Sequence, residues 1–308
     1  MSAVLQARLS PFDLDNEATY AAWRATKLAQ RALREADLIV EVGNAAALTA
    51  AECSAMLRAC ARWNMVVYRS HCGAQHKDVA LALGRQLGLR HLDGNWLADE
   101  DGVSRITVSP ATQDRSGYIP YTDRPLGWHT DGYYHPQGQR IRAFVLHCVQ
   151  PAASGGGGVN ALLDHELAYI ALRDASPRWL RALMAPDAMT IPARDDAHGV
   201  ARAAQAGPVF AVDDGDATLH MRYTARTRSI RWKDDVATLK AMDFLARLLS
   251  DDNPDVLRVR LEAGMGIVAN NVLHARSAFV DDAAQPRLLY RARYLDRTAS
   301  LEAPWPNG

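Results

Sequence analysis

The chain has 308 residues, 48% hydrophobic and 23% charged, enough to bury a full core in one large domain or two small ones. Lys plus Arg balance Asp plus Glu at 35 each. No overall field draws the protein to nucleic acid or to an anionic membrane, so any charged partner has to be met locally.

Four cysteines, Cys53, Cys60, Cys72 and Cys148, form no CxxC pair and are too sparse for a disulfide-stapled fold, which suits a reducing compartment. The N-terminus reaches acidic residues before any apolar run, and no stretch of about 18 apolar residues occurs. The expectation is a cytoplasmic protein that neither enters a membrane nor binds nucleic acid.

In chain order, residues 16 to 36 are rich in helix formers and predict a helix on which Trp23, Leu28 and Leu33 share a face. A second helix fits 49 to 63, with Thr49 as cap and Cys53, Met56, Leu57 and Cys60 at three- and four-residue steps. MVVYR, 65 to 69, reads as a strand, and a further helix follows near 77 to 87. Between 100 and 150, SRITV and AFVLHCV are strand-like runs separated by turn residues.

PAASGGGGVN, 151 to 160, is too glycine-rich for regular structure and reads as a flexible connector; its lack of a GK[ST] ending excludes a phosphate loop. Helical spacing resumes behind Asp164, and Ser176 with Pro177 marks another helix start. Residues 193 to 208 suggest a mobile polar excursion, 234 to 250 an amphipathic helix, and 255 to 261, 266 to 270 and 287 to 295 three closing strands. No repeat or linker divides the chain. The expected organisation is an N-terminal helical extension, 1 to 37, followed by one domain with helical insertions, 38 to 308.

An iron that must bind a co-substrate and oxygen uses few protein ligands, and two His with one carboxylate leave three positions open. His-x-Asp occurs three times, where composition alone predicts about one match, and the copy at His76 lies where the helix near 77 to 87 starts. His91-Leu-Asp93 runs into an Asp-Gly turn. Trp128-His129-Thr130-Asp131 lies between strand-like segments, so its alternate residues His129 and Asp131 point to one side of an extended chain. His274, in IVANNVLHARSAF, is too distant to belong to a local metal finger and needs a fold to bring it home.

Thirteen residues beyond His274 comes RLLYRARYL. Period-two alternation places Arg287, Leu289, Arg291 and Arg293 on one face, and three cations on one face require an anionic partner. Arg287 and Arg291 lie about 13 Å apart along such a strand, enough to serve two ligands, and arginine grips carboxylates bidentately.

WHTD, the glycine-rich stretch with Asn160, NNVLHARSAF and the Arg287/Arg291 strand together resemble, over roughly residues 38 to 295, the taurine dioxygenase branch of the Fe(II)/2-oxoglutarate oxygenases. Butyrobetaine-hydroxylase-like and clavaminate-synthase-like enzymes belong to the same group. The resemblance implies an α+β fold, a double-stranded β-helix or jelly roll buttressed by helices; strand count alone supports only mixed α and β.

It further implies Fe(II) at His129, Asp131 and His274, with 2-oxoglutarate chelating the metal and reaching Arg287 with its 5-carboxylate, and O2 as third reactant. Asn160 stands where relatives often carry a Thr that bonds the co-substrate, and its amide can still donate. Asp131, at a position where halogenases of this group carry a small non-ligating residue, points to hydroxylation of an unactivated C–H bond with release of succinate and CO2.

Arg291 takes the family position that meets a substrate carboxylate or sulfonate, and Arg293 either assists or pairs with an acid of the barrel. Trp128, Tyr133 and Tyr134 are candidates for a pocket wall or a cage for an ammonium group, or for plain packing. Arg222, Arg226, Arg228 and Arg231 make 221 to 232 either a lid over an anionic substrate or a solvated basic face. The partner is then a small carboxylate, sulfonate or amino-acid-like molecule, and a homo-oligomer through the outer helices is compatible with the family. Two other readings stay open: a cupin-type enzyme using its metal as a Lewis acid, against which the arginine strand argues, and a non-catalytic metal-binding protein of the same fold.

Overall fold

The protein is described here from a computed structural model, covering residues 10–72, 76–94, 101–109, 118–153, 155–196, 199–226, 230–250 and 252–300. Two compact units emerge, one from residues 32–127, 141–162 and 257–308, the other from 1–31, 128–140 and 163–256.

In the first unit, β1 (Ile39–Val42), β2 (Met65–Ser70), β3 (Val103–Ile106), β5 (Ala143–Gln150), β15 (Met265–Ala269) and β17 (Leu288–Tyr294) form a sheet of order β1-β2-β15-β5-β17-β3. Only β1 and β2 run parallel. The unbroken apolar run of β2 follows from burial on both faces. Met65, Val67, Ile267 and Leu289 enter one buried cluster, while Val66, Tyr68, Val268 and Tyr294 enter another.

The second cluster is covered by α2 (Ala50–Trp63) and α3 (Asp78–Gln86) through Met56, Leu57, Val79 and Leu83. Helix α2 begins where Thr49 and Glu52 cap each other's backbone N–H, and ends at Asn64 in the left-handed region, φ 59°. The first cluster is closed by Leu162, Leu257 and Val259 from a second sheet. That sheet has the order β14-β6-β16-β4, from β14 (Leu257–Val259), β6 (Asn160–Leu163), β16 (Leu273–Arg276) and β4 (Leu126–His129). Two largely antiparallel sheets sharing a core, with helices outside, make the jelly-roll arrangement that the sequence led us to expect.

The alternation read from RLLYRARYL holds: Leu289 joins the inter-sheet cluster, and Tyr290, Ala292 and Tyr294 pack towards the helices. The chain between Gly155 and Gly158 is no flexible connector. Gly155, Gly157 and Gly158 have φ of 72°, 85° and 74°, and a Cβ on Gly157 would collide with the carbonyl oxygen of Ala278. Gly157 also bridges Phe279, so the glycines make a built turn against that strand exit.

In the second unit, α1 (Glu17–Ala29), α4 (His165–Ala175), α5 (Pro177–Leu183) and α6 (Val236–Leu248) accompany small antiparallel sheets. One has the order β10-β7-β13, from β7 (Met189–Ile191), β10 (Gln205–Gly207) and β13 (Arg231–Trp232); β11 (Phe210–Val212) pairs with β12 (Leu219–Met221), and β8 (Arg194–Asp196) with β9 (Gly199–Arg202). The polar stretch 193 to 208 thus carries strands where a mobile excursion was expected. The caps Asp164 and Ser176 work as read, each accepting from a first-turn N–H.

Helix α1 stops at Ala29, short of the expected 36. The Asp37 carboxylate accepts from the N–H groups of Leu33 and Arg34, an alternative to helix continuation, and Leu33 stands exposed. The buried face of α1 is Tyr20, Trp23 and Lys27, not Leu28 and Leu33. Lys27 is buried because its ammonium meets Asp164 at 2.6 Å and Glu166 at 2.5 Å.

Candidate metal centre

Strand β4 ends on His129, and the residues that follow are fixed by the chain after β12. The Thr130 N–H donates to the Tyr223 carbonyl and the Tyr223 N–H donates to the Thr130 hydroxyl, both at 3.0 Å. The Ala225 N–H donates to the Trp128 carbonyl at 2.8 Å, and Thr224 bridges His129. Thr130, between the two candidate ligands, is fully buried. Gly132, with φ 68°, then turns the chain.

Arg222 holds that turn from below. Its Nε donates to the Tyr133 carbonyl at 2.8 Å, Nη1 to Met189 at 3.1 Å and Nη2 to Gln205 at 2.8 Å. Burial pushes its pKa down to about 10, with the charge of Arg202 as the second cause. The front of the basic segment 221 to 232 is therefore a buried strap under the His-x-Asp turn, not a solvated face; Arg228 lies outside the described residues.

His274 lies on β16. Its Nδ1 sits 2.9 Å from the Val272 carbonyl, which can only accept, so Nδ1 carries the proton and the lone pair is on Nε2, the tautomer a metal ligand needs. The Phe144 ring, 4.8 Å away and tilted by 47°, packs against the imidazole. Donor atoms of His129, Asp131 and His274 lie within 4.8 Å of one another, the first two residues buried and the third half-buried. Two neutral imidazoles and a carboxylate suit Fe(II) with positions left over for other ligands.

Arg287 precedes β17 and is only 5% exposed. No ion pair joins it to a carboxylate among the described residues; Asp281 accepts from its backbone N–H instead, at 2.7 Å. Its guanidinium lies 4.8 Å from the Phe279 ring centre, and burial pushes its pKa down to about 10. Gly158 passes close by, since a Cβ there would stand 3.7 Å from Nε. Asn160, buried at the start of β6, donates its amide to the Val259 carbonyl at 3.5 Å. Arg291 is half-buried on β17. Arg293 is committed to Asp93 in a buried ion pair.

His91, from another His-x-Asp, bonds Asp296 at 2.8 Å, so that motif is spent on structure. Trp128 is half-buried, and Tyr133 meets Tyr134 edge to face at 5.2 Å. Sequence reasoning missed Thr130, which fixes the ligand turn, and Arg276, and it read Arg222 as part of a lid or a solvated face, not as a brace of that turn. Arg276 also lies 4.8 Å from the Phe279 ring centre and donates to the carbonyls of Thr122 at 2.8 Å and Arg124 at 2.5 Å. Its place two residues after His274, on the same strand face, was the available signal.

A family model described as "Taurine catabolism dioxygenase TauD, TfdA family" matches residues 41–293. The chain belongs to the TauD/TfdA family. No curated protein sequence matches it significantly. Among solved structures, asparagine oxygenase in complex with Fe(II), 3-hydroxyasparagine and succinate is similar at TM-score 0.58 and 16% identity, covering 95% of this chain and 91% of that one. The non-heme iron oxygenase OrfP with Fe and alpha-ketoglutaric acid gives 0.58 and 18%, covering 81% of each chain. A taurine dioxygenase from Burkholderia xenovorans gives 0.54 and 20%, covering 89% and 90%. As a TauD/TfdA protein with this fold, the chain is an Fe(II)- and 2-oxoglutarate-dependent dioxygenase of the hydroxylating kind. No helix among the described residues is long and apolar enough to cross a membrane.

Proposed function

We propose that His129, Asp131 and His274 hold the iron, that Arg287 receives the distal carboxylate of 2-oxoglutarate, and that the enzyme hydroxylates a small amino-acid-like substrate. The observation that carries this assignment is Arg287: a guanidinium withdrawn from water, without a carboxylate partner among the described residues, thirteen residues beyond a histidine whose tautomer suits a metal. A buried cation of that kind calls for an anion from outside. A Lewis-acid metal enzyme or a binding scaffold would have no use for it.

Bound iron supplies the site for O2 activation with 2-oxoglutarate as reductant, so that one oxygen atom enters a C–H bond and succinate and CO2 leave. The chain's own part is positional. Thr130 and Arg222 hold the His129–Asp131 turn, the Val272 carbonyl sets the His274 tautomer, and Phe279 and the glycine turn shape the space at Arg287. Asn160 keeps a second amide hydrogen for the same carboxylate. Arg291 is the candidate for the substrate's carboxylate, in line with neighbours solved with hydroxylated asparagine and arginine.

Anaerobic addition of Fe(II) and then 2-oxoglutarate to metal-free protein tests the assignment through the weak visible band of a chelated keto acid. The band is expected in the parent, absent in His129→Ala for want of iron, and absent in Arg287→Gln at 2-oxoglutarate concentrations that saturate the parent. Full activity in Asp131→Ala would remove that residue from the ligand set.

A further inference from the structure

We infer that Arg276 is a positioning residue for the co-substrate: together with Arg287 it makes a doubly cationic seat round Phe279, and this seat holds a carboxylate before any metal is bound. The inference deepens the oxygenase reading and rests on it in taking Arg287 as the residue that receives the distal carboxylate of 2-oxoglutarate.

The two guanidinium carbons each lie 4.8 Å from the centre of the same Phe279 ring, so twice that distance is the most that can separate them. Both side chains are withdrawn from water, Arg276 at 6% and Arg287 at 5% exposure. Neither forms an ion pair among the described residues. Asp281 gives its carboxylate to the backbone N–H of Arg287, Asp282 gives its own to the Ala284 N–H, and Asp123 is exposed. Two like charges that share a ring and have lost their hydration repel each other, and an anion from outside relieves both penalties at once.

The surroundings hold this pair in place. The Nη1 of Arg276 donates to the Pro120 carbonyl at 3.5 Å, and Nη2 to Thr122 at 2.8 Å and Arg124 at 2.5 Å, all in the segment that leads into β4. Phe279 is fixed by its N–H, which donates to the Asp123 carbonyl at 3.0 Å, and by its bridge to Gly157. At Gly158 a Cβ would stand 3.5 Å from the Phe279 Cβ and 3.7 Å from the Arg287 Nε, so the glycine turn closes on ring and cation together.

Carbonyls satisfy the Nη donors of Arg276 but do not cancel its charge, and its Nε is buried with no hydrogen-bond partner. Arg287, by contrast, offers its whole guanidinium fork. The division of labour follows: Arg287 makes the carboxylate contact, and Arg276 raises the affinity of that contact through its field, from a position fixed by three carbonyls. Neither charge depends on iron.

Metal-free protein, kept in chelator, is titrated calorimetrically with glutarate, which has the distal carboxylate but no keto group, and with glutaramide, its uncharged analogue. The parent is expected to bind glutarate at least about tenfold tighter than glutaramide. Arg276→Gln should lose about tenfold in glutarate affinity, and Arg276→Lys, which keeps the charge, should recover most of it. Two results overturn the inference. A parent that binds no glutarate has no seat without metal, and Gln and Lys variants that behave alike reduce Arg276 to a brace of its loop.

Arg287→Gln leaves the carbonyl bonds of Arg276 in place and so probes the second charge without touching Arg276. It should bind glutarate more weakly than the parent yet still prefer it to glutaramide; equal binding of the two overturns the inference. Anaerobic addition of Fe(II) and 2-oxoglutarate to the parent separates this result from the reading beneath it. Glutarate binding without any keto-acid band leaves the seat standing and sinks the oxygenase assignment. A normal band with no glutarate binding to metal-free protein does the reverse.

Discussion

Arg293 closes on Asp93 inside the protein, the two side chains only 5% and 10% exposed, and so ties β17 to the segment carrying the second His-x-Asp motif. Removing one partner of a buried pair strands the other charge, at about 3–5 kcal/mol. Arg293→Met and Asp93→Ala are each expected to lower unfolding stability by about that much, with a double variant losing less than the sum. Urea denaturation measures this. A variant as stable as the parent but with a raised KM would instead give Arg293 a substrate role.

Arg287 is expected to matter for the co-substrate and not for the metal. Losing a desolvated arginine–carboxylate contact costs about 2–5 kcal/mol, or roughly 30- to several-thousand-fold in affinity. Arg287→Gln should raise the 2-oxoglutarate Kd within that range while the Fe(II) Kd, measured by titration without keto acid, stays where it was. Equal losses of both would move Arg287 into a general structural role.

Gly157→Ala places a Cβ against the Ala278 oxygen on a residue with φ 85°. The left-handed conformation alone costs an L-residue about 1–2 kcal/mol, and the collision adds to it. A lower Tm is expected, together with weaker 2-oxoglutarate binding, because the turn lies beside Arg287. Gly138→Ala, where a Cβ meets nothing within 4 Å, is the matched control.

The thiols should divide by depth. Burial pushes Cys60 and Cys148 up to about 12, so both stay protonated and unreactive between pH 7 and 9. Cys72 is exposed, and Cys53 half-buried. Titration with a disulfide reagent at pH 8 should modify Cys72 first, and Cys60 and Cys148 only after denaturation. Early loss of Cys148, whose thiol donates to the Leu261 carbonyl at 3.6 Å, would show that the inter-sheet core opens readily.

What could be read from the sequence was local and periodic. The Thr49–Glu52 box, the Asp164 cap and the two-residue alternation of the arginine strand each follow from a rule spanning a few residues, and all three stand in the structure. The metal motif was legible because His129 and Asp131 share a face and His274 sits in a strand-like run. What escaped depends on distant partners. Asp37 ends α1 by turning its carboxylate back on two N–H groups. The polar stretch 193 to 208 becomes strands because β10 finds β7 and β9 finds β8. Arg222 looks like any surface arginine until three carbonyls from separate segments converge on it.

The grip of Lys27 on Asp164 and Glu166 has a practical consequence for anyone trimming the gene. Asp164 also caps α4, so the ammonium delivered by α1 neutralises acids at the head of a helix that begins 138 residues downstream of it, at His165. A truncation that discards the first 37 residues would uncover two carboxylates and the Tyr169 ring that meets Phe12 and Trp23 edge to face. Such a fragment is a poor choice for crystallisation.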